Sequence, residues 1–283
     1  MRPLYLLPAL LTALSLGAVQ AHSASNRTPI TAPVSHNMCI APVGWSKPFT
    51  HVYHLRNGAT LAFVGVEHTQ NQDDETHRQI KAAFDTYKPT LVLVEGASAT
   101  KSAFEWYRNA LAKDANERAV DGHASENLYA VKLAVDAGAQ FSGWDFSPDQ
   151  DYNTLIGDGF TITDALGAHL LRSHENPFLE ASSARAVERQ LRYASTVVPI
   201  TSFDYAAWYR KAYGETFDPN NGTPCGQGIG SKVVNDLSYR RNLNMTSLIE
   251  AHALPGQTIL VEAGANHWLA LKDWLESRSS SVT

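Results

Sequence analysis

Continuous apolar runs of strand length alternate with segments whose apolar residues recur at helical spacing, along the middle and the C-terminal part of the chain. Residues 51–55 and 60–66 are apolar-rich and are separated by the turn sequence Arg56-Asn57-Gly58. Because Asn-Gly between two such runs favours a tight turn, they predict two paired strands. Residues 91–94 are apolar without alternation, which is typical of a strand covered by helices on both faces.

Helical periodicity fills the interval between these strands. Asp73 or Asp74 can cap a helix in which Ile80, Ala83 and Phe84 recur at helical spacing. A strand, a helix and a strand in this order predict a right-handed crossover, and therefore a parallel pair formed by 60–66 and 91–94. The later predicted elements are a helix over 127–137, a strand over 140–145, a helix over 236–251, a strand over 258–263 and a helix over 270–277.

The alternation of strands and helices stops between residues 146 and 235. Within this interval, 164–172, 181–195 and 203–213 have the pattern of amphipathic helices, and 218–230 is a loop rich in Gly, Pro and Asn. We therefore expect a single α/β domain over 51–283, interrupted by a mostly helical insertion or lid at about 146–235.

The first 50 residues do not belong to this pattern. An apolar run from Leu4 to Leu16 follows Arg2 and precedes Val19-Gln20-Ala21, as in a secretory signal peptide cleaved after Ala21. The run is shorter than the roughly 20 residues of a spanning helix. The sequence thus predicts a signal peptide over 1–21, an extended arm over 22–50, no membrane span in the mature chain, and a secreted or periplasmic location.

Charge and cysteine content narrow the possible partners. The formal net charge is −5 at pH 7, and no basic run occurs, which argues against nucleic acid as a partner. Cys39 and Cys225 are the only cysteines. In an oxidising compartment they would form one disulfide between the arm and a late loop, and otherwise they are two free thiols. A metal site would have to use histidine and carboxylate ligands, since two cysteines do not make a zinc framework.

Two buried-type strands end in the same Gly-x-x-His sequence. One is 61–68, which ends in His68, and the other is 259–267, which ends in His267. Because loops at the carboxyl ends of parallel strands gather into one crevice, we expect both histidines to converge there. Glu95 follows the strand 91–94 and brings a carboxylate to the same edge. Together the three side chains make a two-histidine, one-carboxylate set of the kind that catalytic metals use. The alternative is structural: histidines that cap their strands and a Glu95 that caps a helix.

Helix 236–251 supplies a further pair of candidates. Arg241 and Asn242 lie on or near its apolar face. A buried arginine requires an anionic partner, either Glu95 or a group of the substrate. The structural alternative is an Arg–Glu pair that only ties the helix to the sheet.

Three other residues are weaker candidates. His77 lies on the first helix where it can face the sheet, and Asp145 ends a strand. Glu126 precedes a helix, where a carboxylate favours the helix dipole; we expect this role more than a catalytic one.

The order of these segments resembles the TraB/TIKI superfamily, which includes bacterial TraB/GumN-type proteins and is related to the erythromycin esterases and to ChaN-like haem-binding proteins. The segments are Gly65-Val66-Glu67-His68, Glu95 after the strand 91–94, Arg241-Asn242-Leu243-Asn244-Met245-Thr246-Ser247-Leu248-Ile249, and Gly264-Ala265-Asn266-His267. The resemblance covers roughly 50–145 and 235–277. The family's Gly-Glu-x-x-Tyr sequence is matched only loosely, by Ser125-Glu126-Asn127-Leu128-Tyr129.

The resemblance implies a three-layer αβα sandwich around a mixed, mainly parallel sheet, with His68, His267 and Glu95 as the site. It also implies a secreted hydrolase that cleaves a peptide or ester bond in a peptide or small-molecule substrate. In a metal-dependent form, a divalent ion on these three residues activates water, or Glu95 acts as the base, while Arg241 stabilises negative charge. In a metal-free form, His68 is the base. The alternatives are a non-catalytic protein that binds haem, iron or a small ligand through the same histidines, and a degenerate member that serves in an interaction.

Overall fold

The computed structural model describes residues 32–283, apart from the side chains of residues 180–182. The predicted signal peptide and the first part of the predicted arm, through residue 31, lie outside the described residues. The strands are β1 (Phe49–Leu55), β2 (Thr60–Val66), β3 (Leu91–Ser98), β4 (Gln140–Asp145), β5 (Thr258–Gly264) and β6 (Ser279–Val282). The helices are α1 (Glu75–Tyr87), α2 (Ala99–Ser102), α3 (Glu105–Val120), α4 (Glu126–Ala137), α5 (Pro148–Gly157), α6 (Ile162–Arg172), α7 (Glu180–Ala194), α8 (Tyr205–Tyr213), α9 (Gly228–His252) and α10 (Asn266–Arg278).

The strands form one mixed sheet in the order β4-β3-β5-β2-β1-β6. The four strands β4, β3, β5 and β2 are mutually parallel. Strand β1 is antiparallel to both of its neighbours, β2 and β6. The predicted hairpin of β1 and β2 and the mainly parallel sheet are therefore confirmed. The predicted parallel relation of β2 and β3 is confirmed, but the two strands are not neighbours, because β5 lies between them and hydrogen-bonds to both.

Helices cover both faces of the sheet, as expected for a three-layer αβα sandwich. Successive side chains of β2 point to opposite faces: Phe63 packs in a core with α9 and α10, and Val64 packs in a core with α1 and α4. This is why the central strands are apolar at every position rather than at alternate positions.

Helix α9 connects the sheet domain to the insertion. Its first half packs with α5 and α6 through Val233, Val234 and Leu237, whereas Met245 and Ile249 in its second half pack against the sheet. The predicted helix over 236–251 therefore begins too late, since the helix starts at Gly228. The Gly-rich sequence from 228 to 230 looks like loop, but Gly230 is buried where the helix passes the backbone of Asn221.

Several elements have no counterpart in the sequence prediction. They are α2, α3, α5 and β6. Helix α3 buries only Ala115, so its sequence has no apolar stripe from which a helix could be predicted. The last helix starts at Asn266 rather than at residue 270, so His267 lies in its first turn and not in a loop.

The arm is covalently joined to the loop that precedes α9. Cys39 and Cys225 form a disulfide across a separation of 186 residues, as the sequence suggested for an oxidising compartment. Within residues 32–283, none of the helices combines the length and the apolar character needed to cross a bilayer.

Candidate functional site

The two Gly-x-x-His segments leave the sheet side by side. Val66 pairs with Gly264 at the carboxyl ends of β2 and β5, and the Ala265 N–H donates to the Val66 carbonyl at 2.9 Å. Glu95 reaches this point from β3, because its Oε2 accepts the Gly264 N–H at 2.6 Å. The register of three parallel strands therefore brings His68, Glu95 and His267 to one edge of the sheet, as predicted.

His68 is hydrogen-bonded to Glu126. Its Nδ1 lies 2.5 Å from Glu126 Oε1, and the other carboxylate oxygen accepts the Thr69 N–H at 3.1 Å. The His68 side chain is 64% exposed, whereas that of Glu126 is 8% exposed. The hydrogen bond to Glu126 raises the pKa of His68 above its ordinary value of 6.5. Glu126 thus fixes the orientation of a histidine whose remaining nitrogen, Nε2, is open to the cavity described below.

The start of α4 is anchored from two sides, which places Glu126. Asn127 Nδ2 donates to the carbonyl of Glu95 at 2.8 Å. His77 Nε2 lies 3.0 Å from the carbonyl oxygen of Ala124. His77 is buried against Tyr129 and does not line the cavity, so it supports the loop before α4 rather than contacting a ligand. Glu126 contacts His68 as well as starting α4, a contact that the sequence did not indicate.

Arg241 is buried between two carboxylates. Its Nη2 lies 3.0 Å from Glu95 Oε1 and 2.6 Å from Asp145 Oδ2, and its Nε lies 2.5 Å from Asp145 Oδ1. Asp145 also accepts the Gly96 N–H at 2.7 Å. Burial alone would lower the pKa of Arg241, but the charges of Asp145 and Glu95 raise it above its ordinary value. The anionic partner required by the inward-facing Arg241 is therefore Glu95 together with Asp145.

His267 is held by Asn242 and faces Glu95. Its Nδ1 lies 2.6 Å from Asn242 Oδ1, and its Nε2 lies 3.4 Å from Glu95 Oε1. The Trp144 ring packs on it in a T-shaped arrangement, with ring centroids 5.0 Å apart. Asn242 Nδ2 points to the sulfur of Met38 at 3.8 Å, so the arm completes this contact chain.

Glu95 stays ionised although it is buried. Burial would raise its pKa, but the nearby charges of His267, Arg241 and His68 lower it well below the ordinary range. Glu262, on the neighbouring strand, behaves in the opposite way. Burial and the charge of Glu95 raise the pKa of Glu262 well above its ordinary value, and its Oε1 lacks a hydrogen-bond partner within the described residues. The surroundings of Glu262 therefore favour its neutral form beneath the site, where its Oε2 accepts the Glu95 N–H at 3.0 Å.

A cavity of about 410 Å³ lies over these residues. His68, Glu95, Arg241 and His267 line it from the sheet side. Other parts of the wall come from segments without predicted site residues. They include Met38 and Lys47 of the arm, Arg172 and His174 at the end of α6, and Gly222, Thr223 and Pro224 of the loop before α9. Three other candidates do not line the cavity but each contact a lining residue: Asn242, Glu126 and Asp145.

The donor set does not fit a metal held by His68, His267 and Glu95. Among residues 32–283, no group of three or more His, Cys, Asp or Glu side chains is arranged to hold an ion. Both oxygens of Glu95 are already engaged, one by Arg241 and one by the Gly264 N–H. A cation bound to Glu95 would also stand beside the Arg241 guanidinium and be repelled by it. The divalent ion and the haem stay predictions from sequence, and the chemistry below is derived from the side chains.

We compared the chain with known protein families, with curated proteins and with solved structures, and none of them matches it. The TraB/TIKI resemblance therefore rests on the motifs themselves.

Proposed function

We propose that the protein is a hydrolase in which His68 activates a water molecule to attack an ester or peptide carbonyl. The observation that carries this proposal is the His68–Glu126 contact at 2.5 Å, with the histidine open to the cavity and the glutamate buried. A histidine oriented by a carboxylate is the arrangement that general-base catalysis uses in many hydrolases.

In this mechanism His68 accepts the proton of water on Nε2, while its Nδ1–H donates to Glu126. The carboxylate of Glu126 stabilises the imidazolium that forms, and it keeps the ring from rotating. A Cβ atom at Gly264 would lie 3.0 Å from His68 Nε2 and 3.3 Å from Glu95 Oε2. The reactive nitrogen and the buried carboxylate therefore approach the same part of β5 from two sides, and the negative charge of Glu95 also favours the imidazolium.

The first turn of α10 is suited to stabilise the negative charge that develops on the substrate carbonyl oxygen. Its N-cap residue is Ala265, which offers no side-chain cap. The N–H groups of Asn266 and His267 are in the first turn of the helix, where no intrahelical carbonyl accepts them. Both residues line the cavity. Free N–H groups at a helix N-terminus bind oxyanions, which is the property that acyl transfer requires.

Arg241 has a positioning role in this proposal. Asp145 and Glu95 already neutralise its charge, so little is left for a substrate. Glu95 in turn faces His267, which Asn242 orients. This network fixes the histidine at the start of α10 and keeps a negative charge next to His68.

The proposed family and location rest on sequence features together with the disulfide. The Gly-x-x-His pair, Glu95 and the Arg241-Asn242 pair support membership of the TraB/TIKI superfamily. The signal-peptide pattern over 1–21 and the Cys39–Cys225 disulfide support export to the periplasm or beyond.

The proposal is tested with purified protein and a panel of 4-nitrophenyl esters and fluorogenic peptides. We expect wild type to cleave members of the panel before and after dialysis against EDTA, and His68→Ala to lose this activity. His54→Ala is the matched control, because His54 is an exposed histidine that does not line the cavity. Activity that vanishes with EDTA and returns with zinc or manganese would favour the metal-dependent form. Haem absorption that depends on His68 and His267, without hydrolysis, would overturn the proposal.

A further inference from the structure

We propose that the substrate carries an anionic group, a carboxylate or a phosphate, and that Arg172 binds it at the part of the cavity wall that the insertion supplies. This inference rests on the proposed hydrolase function in one respect, namely that the bound molecule is a substrate. The anion site itself stands on separate observations, namely the position, the exposure and the missing partner of Arg172.

Arg172 is the last residue of α6, and its exposed side chain lines the cavity. Among the side chains that the structure describes, it makes no ion pair and no hydrogen bond. Arg241, the other arginine of this cavity, is bound to Glu95 and Asp145. A guanidinium offers five N–H donors and binds carboxylate or phosphate oxygens in pairs, so Arg172 leaves a complete donor set facing the cavity.

The surroundings of Arg172 favour an anion. The nearby charge of Arg241 is the first cause that lowers the pKa of Arg172, so the two guanidinium groups repel each other. The charges of Asp145, Asp151 and Glu95 act in the opposite direction without reversing the shift. Asp151 is close enough to affect Arg172 but does not form a hydrogen bond with it. Burial raises the pKa of Asp151 to about 6, so its negative charge is lost only when the pH falls below that value. A bound anion would supply the missing partner.

Two more groups on the cavity wall point the same way. Lys47 comes from the arm, is exposed, stacks over the Trp45 ring at 5.1 Å, and makes no ion pair within residues 32–283. His174 also lines the cavity, and its imidazole N–H is a further hydrogen-bond donor for an anion. Against these stands Glu67, the acidic lining residue besides Glu95. Arg172 and Lys47 are nevertheless two lining cations without a directly paired carboxylate among the described residues, whereas Glu95 is engaged by Arg241.

The position of Arg172 sets the geometry of recognition. It belongs to the insertion, whereas His68 and the start of α10 belong to the sheet domain. A substrate that spans the cavity would therefore place its scissile carbonyl at His68 and its anionic group at the insertion. The insertion then selects the substrate, and the strand ends carry the chemistry.

The first test compares a neutral and an anionic ester with the same leaving group, 4-nitrophenyl butyrate and mono-4-nitrophenyl glutarate. For Arg172→Gln we expect kcat/KM to fall at least tenfold for the glutarate, equivalent to about 1.4 kcal/mol, and to stay unchanged for the butyrate. Arg172→Lys keeps the charge and should lose less. Arg192→Gln is the matched control, because Arg192 is exposed and pairs with Glu188 on α7. Equal effects of Arg172→Gln on both esters would overturn the inference.

The second test measures binding without any reaction. Glutarate and inorganic phosphate are titrated by calorimetry into wild type, His68→Ala, Arg172→Gln and Arg172→Lys, with thermal midpoints as the check of folding. We expect one of the two anions to bind wild type and His68→Ala alike and to bind Arg172→Gln at least tenfold more weakly; which anion binds identifies the group. Failure of both anions to bind wild type, or equal binding by Arg172→Gln, would overturn the inference. His68→Ala retains the anion site. The binding measurement can therefore be interpreted even if the hydrolase proposal fails.

Discussion

Glu126, the first residue of α4, holds the imidazole of His68, which lies in the loop after β2, with Oε1 2.5 Å from Nδ1. The two residues are separated by 58 positions and share no secondary-structure element. The pair exists because Asn127 ties the start of α4 to β3 and because His77 ties the preceding loop to α1. The sheet and two helices therefore cooperate to orient one exposed ring.

This contact predicts a specific change in the pH dependence of activity. The hydrogen bond to Glu126 raises the pKa of His68 above 6.5, and the base works only in its neutral form. Activity should therefore fall as the pH drops through this raised pKa. In Glu126→Gln the pKa of His68 should decrease, so the acidic limb of the kcat/KM profile should move to lower pH while the plateau falls by about 10- to 100-fold. Glu117→Gln, on the exposed face of α3, is the control. An acidic limb that stays in place would show that Glu126 does not set this pKa.

Replacing the glycine of each Gly-x-x-His segment with alanine should have different effects on stability and activity. A Cβ atom at Gly65 would lie 2.3 Å from the ring of Phe49, so Gly65→Ala should destabilise the fold by about 1–3 kcal/mol. A Cβ atom at Gly264 would meet His68 Nε2 at 3.0 Å instead. The exposed His68 can move away, so Gly264→Ala should keep most of its stability and lower kcat/KM by about 10- to 100-fold. Urea denaturation and ester hydrolysis of both variants check this, and the same response from both glycines would contradict it.

Removal of the Arg241 guanidinium should be costly. Arg241→Met leaves the carboxylates of Glu95 and Asp145 buried without a cationic partner, and we expect a loss of about 3–5 kcal/mol in the free energy of unfolding. The neighbouring Arg240 supplies the control, because it pairs with Asp158 at the surface, and Arg240→Met should cost about 1 kcal/mol or less. Similar unfolding midpoints for the two variants would show that the buried pair contributes no more than the exposed one.

The disulfide should contribute to stability through the long loop that it closes. Cys39 and Cys225 are 186 residues apart, so replacing both with serine should lower the free energy of unfolding by about 2–5 kcal/mol. The arm it anchors carries Met38, which contacts Asn242. Denaturation of the variant with and without dithiothreitol measures the effect. Dithiothreitol should shift the wild-type midpoint and leave the variant unchanged; a wild-type midpoint that ignores the reductant contradicts this.

The edge of the sheet was predictable because its signals are local. The apolar runs of β2, β3 and β5 and the residues that end them are visible in the sequence, and parallel strands necessarily bring their ends together. The inward side of Arg241 followed from its place on the helix wheel. The placement of these residues follows from the periodicity of apolar positions, which is visible directly in the sequence.

The rest of the site depends on tertiary packing, which leaves little trace in the sequence. Glu126 looked like an ordinary first-turn carboxylate, and its contact with His68 arises from how α4 docks on β3. Arg172 is a basic residue in the last turn of α6, a position that is ordinary for a cation, and only the placement of the insertion brings it to the cavity. Lys47 lies in the arm, whose sequence has no periodicity. The Cys39–Cys225 disulfide anchors this arm, and the sequence alone left free thiols as an alternative to that disulfide.

The central claim, that His68 is the general base, is tested most directly by chemical rescue. In His68→Ala, kcat/KM for a cleaved 4-nitrophenyl ester should fall by about 10²- to 10⁴-fold. Added imidazole should restore part of the rate in a saturable manner, after subtraction of its reaction with the ester alone, and should not accelerate His54→Ala. Wild-type kcat/KM in His68→Ala, in protein that keeps its thermal midpoint, would contradict the claim.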